Sequence, residues 1–305
     1  MPTKREKFDQ SLRARWLGER MRELRDERGL TLKYVAAYIG VEFSTLARYE
    51  RAEWPFRHDH VVALLDAYGV HLEAERERLI QLARDAWRVN RWEPDFQSAI
   101  EDPDFVDCLW LEERAERICS YATMAVPPLL CTPAYAKALF HAEHGYDGPA
   151  FKVEKWLALL AERQKVIRKR DPMTRIDVLI EEQILHRPVG GVTVLREQLE
   201  HLVRFCGRED LPVQVRVVPA HAAGHPGYLG GFTLFRMPTP YPPVAYVEHL
   251  GGRLYIESKG AELYGKTFDA LAGLALPVTE SVQVIDRIAG QFAAEDQRLK
   301  MGVAA

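Results

Sequence analysis

The chain has 305 residues, 47% hydrophobic and 28% charged, with a formal net charge of −3, a globular composition that excludes disordered and collagen-like chains. No run of about 18 apolar residues occurs, and residues 1–15 are polar and basic, without the apolar stretch of a signal peptide, so the expectation is a cytoplasmic protein with no membrane partner. Cys108, Cys119, Cys131 and Cys206 form no C-x-x-C pair, which predicts reduced, mostly buried thiols rather than a zinc or redox motif.

Charge is uneven along the chain. Residues 1–57 carry thirteen Lys/Arg against nine Asp/Glu, a surplus of four positive charges, while the remainder is negative, as expected if only one end meets phosphate. Residues 1–15 are read as a flexible basic arm. In 16–28, Leu17, Met21 and Leu24 recur at helical spacing opposite Glu19, Arg20, Arg22 and Glu23, predicting an amphipathic helix that stops at Gly29. Thr31 is a natural N-cap for a short helix with Leu32, Val35, Ala36 and Ile39 on one face, ended by Gly40. A third helix over 42–51 turns Leu46 and Tyr49 inward and leaves Phe43, Ser44, Ala47, Arg48 and Arg51 outward. Amphipathic patterns over 57–68 and 73–87 complete a five-helix domain, 16–88.

The spacing Ala36, Gly40, Leu46 has a steric reason at each position. A small residue sits where two helices touch, a residue tolerant of positive φ makes the turn, and an apolar residue seats the second helix. Together with Leu24-Arg25, Gly29-Leu30-Thr31, Ile39-Gly40-Val41, Ser44-Thr45-Leu46 and Arg48-Tyr49-Glu50, the segment resembles the repressor-like (Xre) helix-turn-helix family. The resemblance implies that the third helix enters the major groove of operator DNA, with Lys33, Glu42, Phe43, Ser44, Thr45, Arg48 and Arg51 as the DNA-binding residues. It also implies a structural ion pair between Arg25 and Glu50. Three residues depart from the family's usual pattern: Leu32 stands where a phosphate-holding Gln is frequent, Glu42 where a Ser cap is usual, and Ala52 where Gly is usual.

Residues 89–104, with Pro94 and Pro103, read as a linker. Helices are then predicted over 110–124, 133–144 and 151–168, a central strand over 175–182, and a helix over 192–206. Strand patterns follow at 213–218, 232–236, 244–249 and 253–257, the last two joined by a Gly251-Gly252 hairpin turn. Helices near 259–275 and 279–297 close a domain spanning 105–297, and 298–305 form a tail. The fold expected is α+β: an all-α helix-turn-helix domain, then helices packed on a small mixed, mainly antiparallel sheet.

The stretches 126–136, Glu162-Arg163-Gln164, 182–190, 198–202, 215–219, Gly231-Phe232 and 246–248 make this half similar to the C-terminal domain of WhiJ-like actinobacterial regulators. That resemblance implies no catalytic activity and no cofactor. It implies a sensor or partner-binding module that helps to form a homodimer, taking a small-molecule ligand or a small neighbour-encoded protein. An antitoxin-like interaction protein with autoregulatory DNA binding is the alternative.

Other chemistry is weakly supported. His221 and His225 lie in a Pro/Gly-rich loop, so helical metal-ligand geometry does not apply and no metal is assigned. Glu181, Glu182, Glu248 and Glu257 fall on predicted strands and read as ion-pair partners of Arg163, Arg187 or Arg253 before acid/base pairs. Phe232, Phe235, Tyr241, Tyr246 and Tyr255 read as sheet core, with a ligand pocket as the second choice. No phosphate loop, nucleophile elbow or H-E-x-x-H motif is present.

Overall fold

The computed structural model describes residues 10–87, 103–145, 150–169, 174–206, 211–222, 224–239 and 241–303. The chain divides into two compact units, Met1–Asp107 and Cys108–Ala305. No single helix among the described residues is long and apolar enough to cross a membrane.

The first unit holds α1 (Leu12–Glu27), α2 (Leu32–Tyr38), α3 (Phe43–Glu50), α4 (His58–Ala67) and α5 (Glu73–Trp87). Its core is built from the expected apolar faces: Leu17, Met21, Leu24, Val35, Ala36, Leu46, Tyr49, Val61, Leu64, Leu65, Leu79 and Leu82 are all buried. Thr31 accepts a hydrogen bond from the Tyr34 amide and starts α2. Gly29 and Gly40 take φ of 64° and 70°, left-handed turns that a side chain would strain.

The arm expected over 1–15 is shorter than the polar pattern implies, because α1 begins at Leu12; residues 1–9 lie outside the described residues. Ser11 accepts from the Ala14 amide. The Leu12 amide and Arg13 Nε donate to the two oxygens of Asp107 at 2.7 and 3.0 Å, and Arg13 Nη1 donates to the Asp85 carbonyl at 2.8 Å. A buried arginine is tolerable only with such partners, and they stand 94 and 72 residues away, outside any local pattern. Most of the expected linker, 89–102, lies outside the described residues, and α6 (Pro103–Arg114) follows.

In the second unit the described strands form a six-stranded sheet of order β3-β2-β1-β4-β5-β6. The strands are β1 (Arg117–Ala122), β2 (Arg175–Glu181), β3 (Val213–Val218), β4 (Phe232–Arg236), β5 (Val244–His249) and β6 (Gly252–Glu257). β1, β2 and β3 are parallel, with Ser120 beside Val178 and Val178 beside Val215. β4, β5 and β6 are antiparallel, with Ser120 beside Thr233 and Tyr246 beside Tyr255. The parallel strands need long crossovers. These are α7 (Pro133–His144) with α8 (Ala150–Lys169), then α9 (Val192–Cys206); α10 (Ser258–Leu274) and α11 (Val278–Val303) follow β6. Cys119, Tyr121, Phe232, Leu234 and Ala245 pack in one cluster with Ala261, Phe268 and Leu271 of α10.

Three expectations change here. The helix over 110–124 breaks at Arg114, and Ile118, Cys119 and Tyr121 become a central strand buried on both faces. The hairpin turn is Leu250-Gly251, since His249 pairs with Gly252, whose φ of 124° sits at the start of β6. The tail over 298–305 is in part helix, because α11 continues to Val303.

Candidate nucleic-acid interface

α3 is held rigidly from behind. Leu46 is fully buried and Tyr49 nearly so; the Tyr49 ring packs on Phe56 and His60, with centroids at 4.9 and 5.9 Å. Arg25 grips Glu50 with two parallel hydrogen bonds, Nε to Oε1 at 2.7 Å and Nη2 to Oε2 at 3.0 Å, while its Nη1 donates to the Leu30 carbonyl at 2.8 Å. One side chain thus joins α1, the α1–α2 turn and the end of α3. Hydrogen bonding to Glu50 is the leading cause that raises the Arg25 pKa.

The end of α3 carries strain. Ala52 has φ of 54°, a left-handed conformation that costs a non-glycine residue roughly 1–2 kcal/mol. Its methyl is buried with Ala14 and Ala86, which offsets part of that cost. Beyond it the Glu53 amide donates to the Arg48 carbonyl at 2.9 Å and closes the helix.

The outward residues differ in availability. Glu42, Phe43, Ser44 and Lys33 are exposed, whereas Thr45 and Arg48 are half-buried. Glu42 is the N-cap of α3 by backbone conformation, yet its side chain makes no capping hydrogen bond. The Arg48 guanidinium lies 5.7 Å from the centre of the Trp54 ring, a stacking that pre-orients it. Arg51 is forked onto Glu53, Nε and Nη2 reaching its two oxygens at 2.6 and 3.1 Å.

Several arginines of this end are paired with nearby carboxylates. Arg20 reaches Glu23, Glu27 and Glu75, Arg22 lies beside Asp26, and Arg57 pairs with Asp59. Lys33, exposed on α2, makes no ion pair among the described residues. Such a surface attracts phosphate modestly, and its exposed pairs contribute little to stability.

Two tyrosines escaped the sequence reading. Tyr34 and Tyr38 are 62% and 55% exposed, four residues apart and therefore on one face of α2. Both sit out of phase with the buried Val35 and Ala36, and that phase was the available signal. Tyrosine hydroxyls are ordinary phosphate contacts. Leu32, at the position where the resemblance puts a phosphate-holding Gln, is half-buried.

In the second unit only Glu181 and His225 of the acidic and histidine candidates are brought together among the described residues. Glu181 accepts from the Tyr121 hydroxyl at 2.5 Å, and Glu182 accepts from the Ala220 amide. Glu248 pairs with Arg253 at 2.9 Å, while β5–β6 register puts Glu257 beside Val244, at the other end of the hairpin. Arg163 pairs with Glu112 and Arg187 donates to the Met124 carbonyl. His225 Nδ1 accepts from the Gly227 amide and its Nε2 lies 3.7 Å from Glu181; His221 is exposed. Among the described residues no group of three His, Cys, Asp or Glu is placed to hold a metal.

The aromatic candidates are mainly core: Phe232, Phe235 and Tyr246 are buried, and Tyr241 and Tyr255 half-buried. A cavity of about 20 Å³, lined by Leu129, Leu130, Gln164, Thr174, Ile176 and Phe205 among others, has room for about one water. The 127–132 loop, whose Leu129 and Leu130 line this cavity, is clasped by two glutamines. Fully buried Gln198 accepts from the Thr132 amide at 2.6 Å and donates to the Leu130 carbonyl at 2.8 Å, and Gln164 donates to the Pro128 and Cys131 carbonyls.

Residues 16–79 match the family model of a helix-turn-helix domain, and residues 105–287 match that of a domain of unknown function (DUF5753). No curated protein and no solved structure matches the chain.

Proposed function

This chain belongs to the DUF5753 family and carries a helix-turn-helix domain ahead of it, and from that premise we propose that it is a sequence-specific transcriptional regulator that reads operator DNA with α3. The observation that carries the reading is the two-sidedness of α3. Its inner side is locked by Leu46, Tyr49 and the Arg25–Glu50 fork, while Glu42, Phe43 and Ser44 at its start are exposed. Rigid support behind an open polar and aromatic edge is what base readout in a groove requires.

The weak residual positive charge calls for two reading heads. In the proposed homodimer, two copies of α3 enter successive major grooves about 34 Å apart on an inverted repeat. The DUF5753 domain then serves as the dimerisation and control module of a cytoplasmic regulator.

Band-shift titrations at 50 and 200 mM salt, on DNA upstream of the protein's own coding sequence, test this. Arg48→Ala is expected to weaken binding about 5- to 150-fold if Arg48 grips a base, the equivalent of roughly 1–3 kcal/mol. Sedimentation should give a dimer mass. Failure to bind at either salt concentration, or undiminished binding by the variant, would overturn the assignment.

A further inference from the structure

We propose that Phe43 and Glu42 set the operator sequence: Phe43 by packing on the 5-methyl group of a thymine, and Glu42 by accepting a hydrogen bond from the exocyclic amino group of a neighbouring cytosine. The proposal rests on the reading that α3 enters the major groove.

Both residues stand at the start of α3, the part of a reading helix that meets base edges. Phe43 is 60% exposed, and its ring makes no aromatic contact among the described residues. It cannot join the core, because Leu46 and Tyr49 already occupy the inward side of this short helix. A bulky apolar group kept in water at the front of a reading helix needs an apolar surface to cover it. The thymine methyl is the apolar group that the major groove displays.

Glu42 poses the complementary problem. An N-cap side chain ordinarily accepts from an amide of the first turn, but the Glu42 carboxylate makes no such bond and meets no cation among the described residues. It is an acceptor only, so guanine N7 and O6, adenine N7 and thymine O4 repel it. Cytosine offers an amino donor with no acceptor of its own beside it, and a carboxylate at this place therefore selects cytosine. The same charge repels phosphate and lowers binding to every other sequence, which is specificity obtained by penalising the wrong partner.

Sites selected by the full chain from random double-stranded DNA should carry a thymine and a cytosine at adjoining positions of each half-site. Replacing that thymine with deoxyuridine, which lacks the methyl, should weaken binding about fourfold, as loss of one buried methyl implies. Phe43→Ala should bind the thymine and deoxyuridine operators equally. Glu42→Gln should lose most of the cytosine preference while binding random DNA more tightly than the parent, a pairing of effects that loss of fold would not produce. Thermal melts of both variants should match the parent, since neither side chain supports the core. Selected DNA bound equally well with deoxyuridine, or a Glu42→Gln protein that keeps its cytosine preference, refutes the proposal and leaves groove reading intact; selection of no DNA at all overturns both.

Discussion

Gly18 in the middle of α1 lies directly against the main chain of Glu50 at the end of α3: a Cβ at position 18 would stand 2.8 Å from the Glu50 carbonyl oxygen and 2.9 Å from that of Tyr49. A glycine inside a helix costs about 0.5–1 kcal/mol relative to alanine. Here it lets the first and third helices approach to backbone contact, so it sets the depth at which α3 is seated.

Gly18→Ala is therefore expected to destabilise the protein by about 1–3 kcal/mol, overpacking outweighing the better helix propensity. Urea denaturation measures this directly. A more stable variant would show that the two helices have room to separate without loss.

Removing the carboxylate that answers Arg25 should cost more. The side chains of Arg25 and Glu50 are 9% and 5% exposed, and deleting one partner of a buried pair costs about 3–5 kcal/mol, moderated here by Asp26, whose carboxylate stays 2.6 Å from Arg25 Nη1. Glu50→Ala is expected to fall at the low end of that range, and Glu50→Gln, which keeps hydrogen-bonding capacity, below it. A loss within 0.5 kcal/mol for Glu50→Ala, about the scatter of ordinary surface substitutions, would mean that water replaces the carboxylate.

His60 gives the helix-turn-helix domain a pH dependence. Its Nδ1 is buried without a hydrogen-bond partner, and burial lowers its pKa from 6.5, only partly opposed by Asp59. The unfolded chain therefore takes up this proton at a higher pH than the folded one, so the contribution is complete above about 6.5 and is lost as pH falls through the folded value. Melting temperatures should drop between pH 7.5 and 5.5, and His60→Phe should flatten that slope. An equal slope in the variant would place the proton elsewhere.

Gln198 is expected to control the order of the 127–132 loop. Gln198→Met removes partners from the Thr132 amide and the Leu130 carbonyl, at about 1–3 kcal/mol for each group left buried and unpaired. Hydrogen exchange of the Thr132 amide should quicken in the variant. Unchanged protection would show that Gln164 alone suffices to hold the loop.

The first unit was the more legible half because its information is local. Helical phase placed Leu46 and Tyr49 inward, Thr31 and Gly40 marked a start and a turn, and each of these features depends on neighbours within one or two turns. In the second unit the 110–124 segment misled: Ile118, Cys119 and Tyr121 are buried in a central strand, and a strand covered on both faces lacks the alternation that separates it from helix. The candidate reading residues were legible as residue types. Their differences, with Glu42 uncapped, Arg48 stacked on Trp54 and Arg51 held by Glu53, were not.

By itself the sequence determined the helix-turn-helix, its turn glycines and the α+β division of the chain, since periodicity, caps and turn residues act over short distances. The tertiary structure alone decided that α1 starts at Leu12 on a carboxylate 95 residues away, that β1 stands between β2 and β4, and that Gly18 yields its side chain to Glu50. Each of these is a pairing between distant segments, and the partner that makes it favourable leaves no trace in the local pattern.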